Sequence, residues 1–102
     1  FQRLWALPER PQAVVSTDDV LAAGAARAMQ ALGVRTPDEM ALITEAMAGV
    51  PIAFPVDITR VRFDLGEVVQ SVCDLIDAVT PGMRRPKARA VISPTLVVGE
   101  TT

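Results

Sequence analysis

One segment, residues 13–37 (AVVSTDDVLAAGAARAMQALGVRTP), limits what this chain can become. It reads as a buried strand, a short polar turn carrying two carboxylates, and a helix of small and apolar residues. Strand, turn and helix in that order form the repeating unit of a parallel α/β sheet, whose ligands gather at the carboxyl ends of the strands. Ser16, Thr17, Asp18 and Asp19 therefore mark the first candidate site.

The helix in this segment has Thr17 or Asp18 placed to cap it, and early carboxylates suit the positive end of its dipole. Leu21, Ala25, Ala28, Met29 and Leu32 form an apolar stripe at helical spacing. Its other faces are not polar either: between Val20 and Leu32 only Arg27 and Gln30 are. Such a helix is expected to be covered on more than one side. Gly33 ends it in a left-handed cap.

Before it, Phe1, Leu4, Trp5 and Leu7 read as the last turn of a helix, and Pro8 and Pro11 force a loop. Trp5 is expected to pack that helix end. Ala13, Val14 and Val15 form a continuously apolar run, as in a parallel strand covered on both faces. After Gly33, Thr36, Pro37, Asp38 and Glu39 have the form of a single turn capped by Thr36. Residues 40–43 read as a second buried strand, with Thr44, Glu45 and Ala46 at its carboxyl end. Residues 47–55 read as loop or short helix. Residues 58–64 alternate, Thr59, Val61 and Phe63 facing one way and Arg60, Arg62 and Asp64 the other. Asp64 and Glu67 are spaced to start a second helix, with Leu65, Val68, Val69, Val72, Ile76 and Val79 as its stripe. Cys73 lies beside that stripe and reads as a core residue, since no basic side chain within a turn would activate its thiol. Pro81 and Gly82 stop the helix. Residues 83–89 (MRRPKAR) form a basic loop, and residues 90–93 and 96–98 read as two strand segments bent at Pro94.

Composition removes several kinds of chemistry. The chain has no His and a single Cys, which excludes His-based acid–base catalysis, Cys/His zinc sites and intrachain disulfides. A net charge of -2 and a pI near 5.0 give no general attraction to nucleic acid or anionic membranes. No apolar run approaches the roughly 20 residues of a membrane span. No glycine-rich phosphate cradle and no G-x-S-x-G occur, so neither a metal nor a cofactor is expected. Asp18, Asp19 and Glu45 are the only acid–base candidates, and neighbouring carboxylates at a helix start point in different directions. Half of the 102 residues are hydrophobic and mean hydropathy is +0.32. A small domain leaves about a third of its unfolded surface exposed. Some apolar faces are therefore expected to meet a partner or further parts of the same polypeptide.

Set end to end, these pieces resemble the C-terminal part of a lactose-repressor-type (LacI/GalR) regulator. Such proteins carry A-x-x-x-x-N/S-D-x-x-A-x-G-x-x-x-A-x-x-x-x-G-x-x-x-P-x-D, then G-x-D, P-x-L-T-T-[IV], a long helix and an ending near P-x-L-[VI]-x-R-x-S/T. The matching residues here are Ala13, Asp18, Asp19, Ala22, Ala23, Gly24, Ala28, Gly33, Pro37 and Asp38/Glu39, then Ile58, Thr59, Arg60 and Val61, and finally residues 94–102.

The resemblance implies an α/β fold. It is the Rossmann-like parallel sheet of a type I periplasmic-binding-protein-like effector domain, present as a C-terminal fragment. By the resemblance, residues 1–62 are the latter half of the C-terminal lobe. Residues 63–93 make the interlobe crossing with a helix and strand of the N-terminal lobe, and residues 94–102 return. It implies ligand contacts at Asp18, Glu45, Ala46 and Phe63. The family's G-x-D aspartate falls on Ala46, so either Glu45 supplies the carboxylate or the effector is not a typical sugar. Phe63 stacks on a ligand or serves as a hinge residue. Val20, Ala23, Ala26, Arg27 and Phe54 map to the homodimer interface. The family's terminal arginine is Gly99 here. The implied protein is a cytoplasmic regulator whose small-molecule effector, a carbohydrate or another metabolite, acts on operator DNA through a helix-turn-helix domain outside this chain. A transporter's periplasmic sugar-binding protein is the alternative, and a carboxylate hydrolase the remote one.

Overall fold

The computed structural model describes residues 1–47, 51–79 and 89–102. A short helix, α1 (Gln2–Trp5), leads into strand β1 (Ala13–Ser16), helix α2 (Asp19–Ala31) and strand β2 (Ala41–Met47). Strand β3 (Thr59–Phe63), helix α3 (Leu65–Val79) and strand β4 (Thr95–Val97) follow. The sheet order is β1-β2-β3-β4; the first three strands are parallel and β4 runs antiparallel to β3. The carboxyl ends of β1, β2 and β3 thus share one edge.

Local chemistry fixes the ends of α2. Asp18 has the extended backbone of an N-cap (φ -152°, ψ 133°), and its carboxylate accepts the Leu21 N–H at 2.9 Å. At the far end Gly33 adopts φ 66°, the Val34 N–H reaches the Met29 carbonyl (3.0 Å) and the Gly33 N–H that of Gln30 (3.1 Å). This is a Schellman termination, and its hydrophobic clasp is present: Val34 joins Met29 in the core. The turn at residues 36–39 forms, but Glu39 takes the Arg35 N–H (2.8 Å), one residue earlier than a Thr36 cap requires. That bond, ahead of the Arg35 guanidinium, holds the Glu39 carboxyl below its ordinary value.

The core lies between α2 and the sheet. Ala26, Met29, Val34, Met40, Leu42 and Ile58 form one buried cluster, with Phe1, Trp5, Val14, Ile52 and Phe54 packed against it. Trp5 packs as expected, stacked on Phe1 and covered by the Arg10 guanidinium 4.2 Å from its ring centre.

A strap of residues 99–102 closes the amino-terminal edge of the sheet between β2 and β3. Thr101 is fully buried. Its hydroxyl donates to the Leu42 carbonyl (2.6 Å) and accepts the Thr59 N–H (2.9 Å), while its carbonyl accepts the Leu42 N–H (3.0 Å). The Glu100 N–H donates to the Asp57 carbonyl at 2.6 Å. Gly99 approaches that segment so closely that a Cβ there would overlap the Asp57 carbonyl oxygen and lie 2.7 Å from the Ile58 carbonyl carbon.

Four expectations change. The second strand extends to Met47, taking in Glu45 and Ala46, because Met47 still pairs with Phe63. β1 is the edge of the sheet and leaves Val15 65% exposed, so it is not covered on both faces. The last strand spans Thr95–Val97, and residues 90–93 form no strand. Cys73 is exposed, and no residue of α3 is buried, since nothing among the described residues covers its apolar stripe. The Asp64 start of α3 holds: its carboxylate accepts the Glu67 N–H at 3.1 Å. The Pro81–Gly82 stop and most of the basic stretch 83–89 lie outside the described residues.

Candidate functional site

The parallel strands bring separated pieces of sequence to one edge. Thr17 and Asp18 follow β1, and Glu45, Ala46 and Met47 end β2. Together with Asp19 they line a cavity of about 110 Å³. Asp18, Glu45 and Ala46, three of the expected ligand contacts, are therefore neighbours. Phe63 does not line the cavity; it ends β3 one strand further on, paired in register with Met47.

Their roles differ because their surroundings differ. One oxygen of Asp18 is committed to its helix cap. The Ser16 hydroxyl braces the same turn, donating to the Asp18 carbonyl at 2.8 Å. Glu45 is exposed; its backbone carbonyl accepts the Thr44 hydroxyl at 2.8 Å, while its carboxylate has no hydrogen-bond or ion-pair partner among the described residues. Its carboxylate is an acceptor with its capacity unspent. Ala46 is 3% exposed and supplies a methyl wall. Met47, 41% exposed, adds an apolar surface beside the acidic one. A carboxylate next to an apolar side chain suits a ligand with hydroxyls on its rim and C–H groups on its faces. Among the described residues no group of three or more His, Cys, Asp or Glu is placed to hold a metal ion.

Thr17 and Asp19 line the cavity from the turn the sequence marked, while sequence reasoning missed Met47 as a lining residue. The signal for Met47 is the alternation through β2: Leu42, Thr44 and Ala46 are buried while Glu45 and Met47 are exposed, so the strand continues past Thr44.

The double duty of Asp18 gives a first prediction. Asp18→Ala removes the cap and lowers stability by about 1 kcal/mol, while Asp18→Asn retains it. Urea unfolding of the full-length variants measures both; equal midpoints for the two would contradict the cap assignment.

The residues mapped to a dimer interface separate into three groups. Val20 (74% exposed), Ala23 and Arg27 lie along the outer face of α2, opposite the buried Ala22, Ala26 and Met29. Gly24 shares that outer face, and a Cβ built on it meets nothing within 4 Å. Arg27 and Phe54 line one cleft with Gln30, Ala53 and Pro55. Ala26 is a correction: it is fully buried in the core and offers no surface to a partner. Its small side chain reflects close helix–sheet packing within the chain.

Compared with known proteins, the chain matches the periplasmic binding protein-like domain family over residues 1–102. Its structure is similar to that of a LacI family transcriptional regulator from Arthrobacter sp. FB24 in complex with lactose, with a TM-score of 0.72 and 29% identity. That likeness covers 99% of this chain and 39% of the regulator's. A search among curated proteins finds no significant match. No helix among the described residues is long and apolar enough to cross a membrane.

Proposed function

The chain belongs to the periplasmic binding protein-like domain family, and from that premise we propose that it is part of the effector-sensing and dimerising region of a LacI-type transcriptional regulator. The observation that carries the proposal is the convergence of Asp18, Glu45 and Ala46 on one cleft at the carboxyl edge of the parallel strands. A small polyhydroxylated molecule, of the carbohydrate class that the similar regulator holds as lactose, binds there. Glu45 accepts its hydroxyl hydrogens, and Met47 with Phe63 beyond it offers the apolar side. Glu45 thus does the work for which Ala46 has no polar group.

In this reading residues 1–62 belong to one lobe, residues 63–93 cross to the other, and residues 94–102 return. The support is that α3 leaves its apolar stripe uncovered while β4 comes back to pair with β3. Closure of the lobes on the ligand biases the subunit arrangement, and through it the operator affinity of a DNA-binding domain elsewhere in the polypeptide. Partner subunits meet on the outer face of α2, where Gly24 leaves room for close approach, and at the cleft of Arg27 and Phe54.

Calorimetric titration of the full-length protein with lactose, galactose and glucose tests the site. Saturable binding is expected, weakened about tenfold by Glu45→Gln, which loses a charge-assisted hydrogen bond. Binding that ignores the Glu45 substitution would place the ligand elsewhere. For the interface, Ala23→Asp puts a charge on the outer face of α2, and sedimentation velocity should show monomers. An unchanged dimer would move the interface off this helix.

A further inference from the structure

The strand register sets Arg62 beside Ala46, one strand over from a cleft whose lining does not itself include Arg62. Ala46 and Arg62 are partners across β2 and β3, so their Cα atoms stand about 4.8 Å apart and their side chains leave the sheet on the same face. Ala46 is a wall of the cavity and ends in a methyl group. An Arg side chain is longer than that spacing, so a guanidinium on Arg62 can pass over the methyl to the cavity mouth.

The two arginines of β3 are in different situations. The Arg60 guanidinium is engaged, with Nε donating to the Ile58 carbonyl (3.1 Å) and one terminal nitrogen 3.7 Å from the Asp57 carboxylate. Arg62 is exposed, and its guanidinium has no hydrogen-bond or ion-pair partner among the described residues. A charged side chain free of partners, next to a cleft lined by Asp18, Asp19 and Glu45, has an obvious direction of attraction.

The cleft also needs what Arg62 has. Its charged side chains are three carboxylates, which only accept hydrogen bonds; among lining side chains, the Thr17 hydroxyl is the one donor. A sugar hydroxyl both donates and accepts. A site of acceptors alone leaves the ligand oxygens unanswered once water is excluded, and that costs affinity.

We propose that Arg62 is a specificity-determining residue of this cleft. Its fork of N–H groups reaches over Ala46 and donates to two neighbouring oxygens of a polyhydroxylated ligand, while Glu45, which leaves β2 on the other face, accepts from other hydroxyls at the strand end. The alanine at position 46 is part of the device. A carboxylate there would stand beside Arg62 on the same face and hold the guanidinium as an ion pair. The inference rests on the cleft being the effector site.

The test is titration of the full-length protein with lactose, galactose and glucose, using wild type, Arg62→Met, Arg62→Lys, Glu45→Gln and the Glu45→Gln/Arg62→Met double variant. Arg62→Met, which keeps most of the apolar stem, is expected to weaken binding about tenfold or more, and Arg62→Lys is expected to recover part of the loss. The double variant should lose about the product of the single losses, because the two groups reach different hydroxyls from opposite faces of the sheet. Unfolding midpoints and sedimentation coefficients should stay at the wild-type values. Wild-type affinity in Arg62→Met overturns the proposal, and if Glu45→Gln still weakens binding the effector site itself stands. If Arg62→Lys binds no better than Arg62→Met, the guanidinium is not acting as a charged donor and the proposal falls. Absence of binding by all three sugars to wild type overturns both the carbohydrate reading and the role of Arg62.

Discussion

Replacing Thr101 by valine is expected to lower the unfolding free energy by about 3 kcal/mol. Valine has nearly the shape of threonine, so packing at this buried position is preserved and the change isolates the hydroxyl. That hydroxyl serves the Leu42 carbonyl at 2.6 Å and the Thr59 N–H at 2.9 Å, two backbone groups with no route to water at a fully buried residue. Leaving a buried polar group unpaired costs about 1–3 kcal/mol, and here two are left at once. Thr101→Ser keeps both bonds and loses only a methyl, a cost nearer 1 kcal/mol. Urea denaturation of the full-length variants separates the two outcomes. If valine is no worse than serine, the strap is held by its backbone bonds and the hydroxyl is incidental.

Met29→Ala should be comparably damaging by a different mechanism. Met29 is fully buried and packs with Val34, Met40, Leu42 and Ile58. Its truncation removes apolar contact and opens a hole between α2 and the sheet that relaxes only in part, a cost of about 2–5 kcal/mol. It also weakens the Schellman end of α2, since Val34 loses the side chain it closes upon. Val20→Ala on the same helix removes a side chain that is 74% exposed within the chain, so any cost above about 0.5 kcal/mol comes from the proposed subunit interface and not from the core. The same urea experiment compares them. A small effect at Met29 would mean that the core closes over the gap, and a large effect at Val20 would mean that the outer face of α2 is already packed in the assembled protein.

The parts of the fold readable in the sequence are those determined by neighbours in the chain. Asp18 caps α2, Gly33 ends it and Asp64 starts α3, because each acts on backbone groups three or four residues away. The meeting of Asp18, Glu45 and Ala46 was legible too. It requires only that two strands be parallel, and an intervening helix makes them so. What was not legible depends on distant partners. Whether Val15 is buried depends on what packs on the open face of β1, and whether Cys73 is buried depends on what covers α3; neither is encoded in the local period. The Thr101 strap joins residues 42 and 59 positions apart in the chain, and no pattern around Thr101 announces it. Arg62 read as one more polar residue on the wet face of a strand. Its significance comes from the register that sets it beside Ala46, which the alternation in β3 alone does not specify.

The close approach at Gly99 limits what this position and its neighbouring loop can become. The lactose-repressor-type ending places an arginine where this chain has glycine. A side chain at that position and the present path of Asp57 and Ile58 cannot occupy the same space. Gly99 and residues 57–58 are therefore sterically coupled in this chain. An arginine at position 99 requires a new course for residues 57 and 58, so a tail carrying one has to bring a different loop with it.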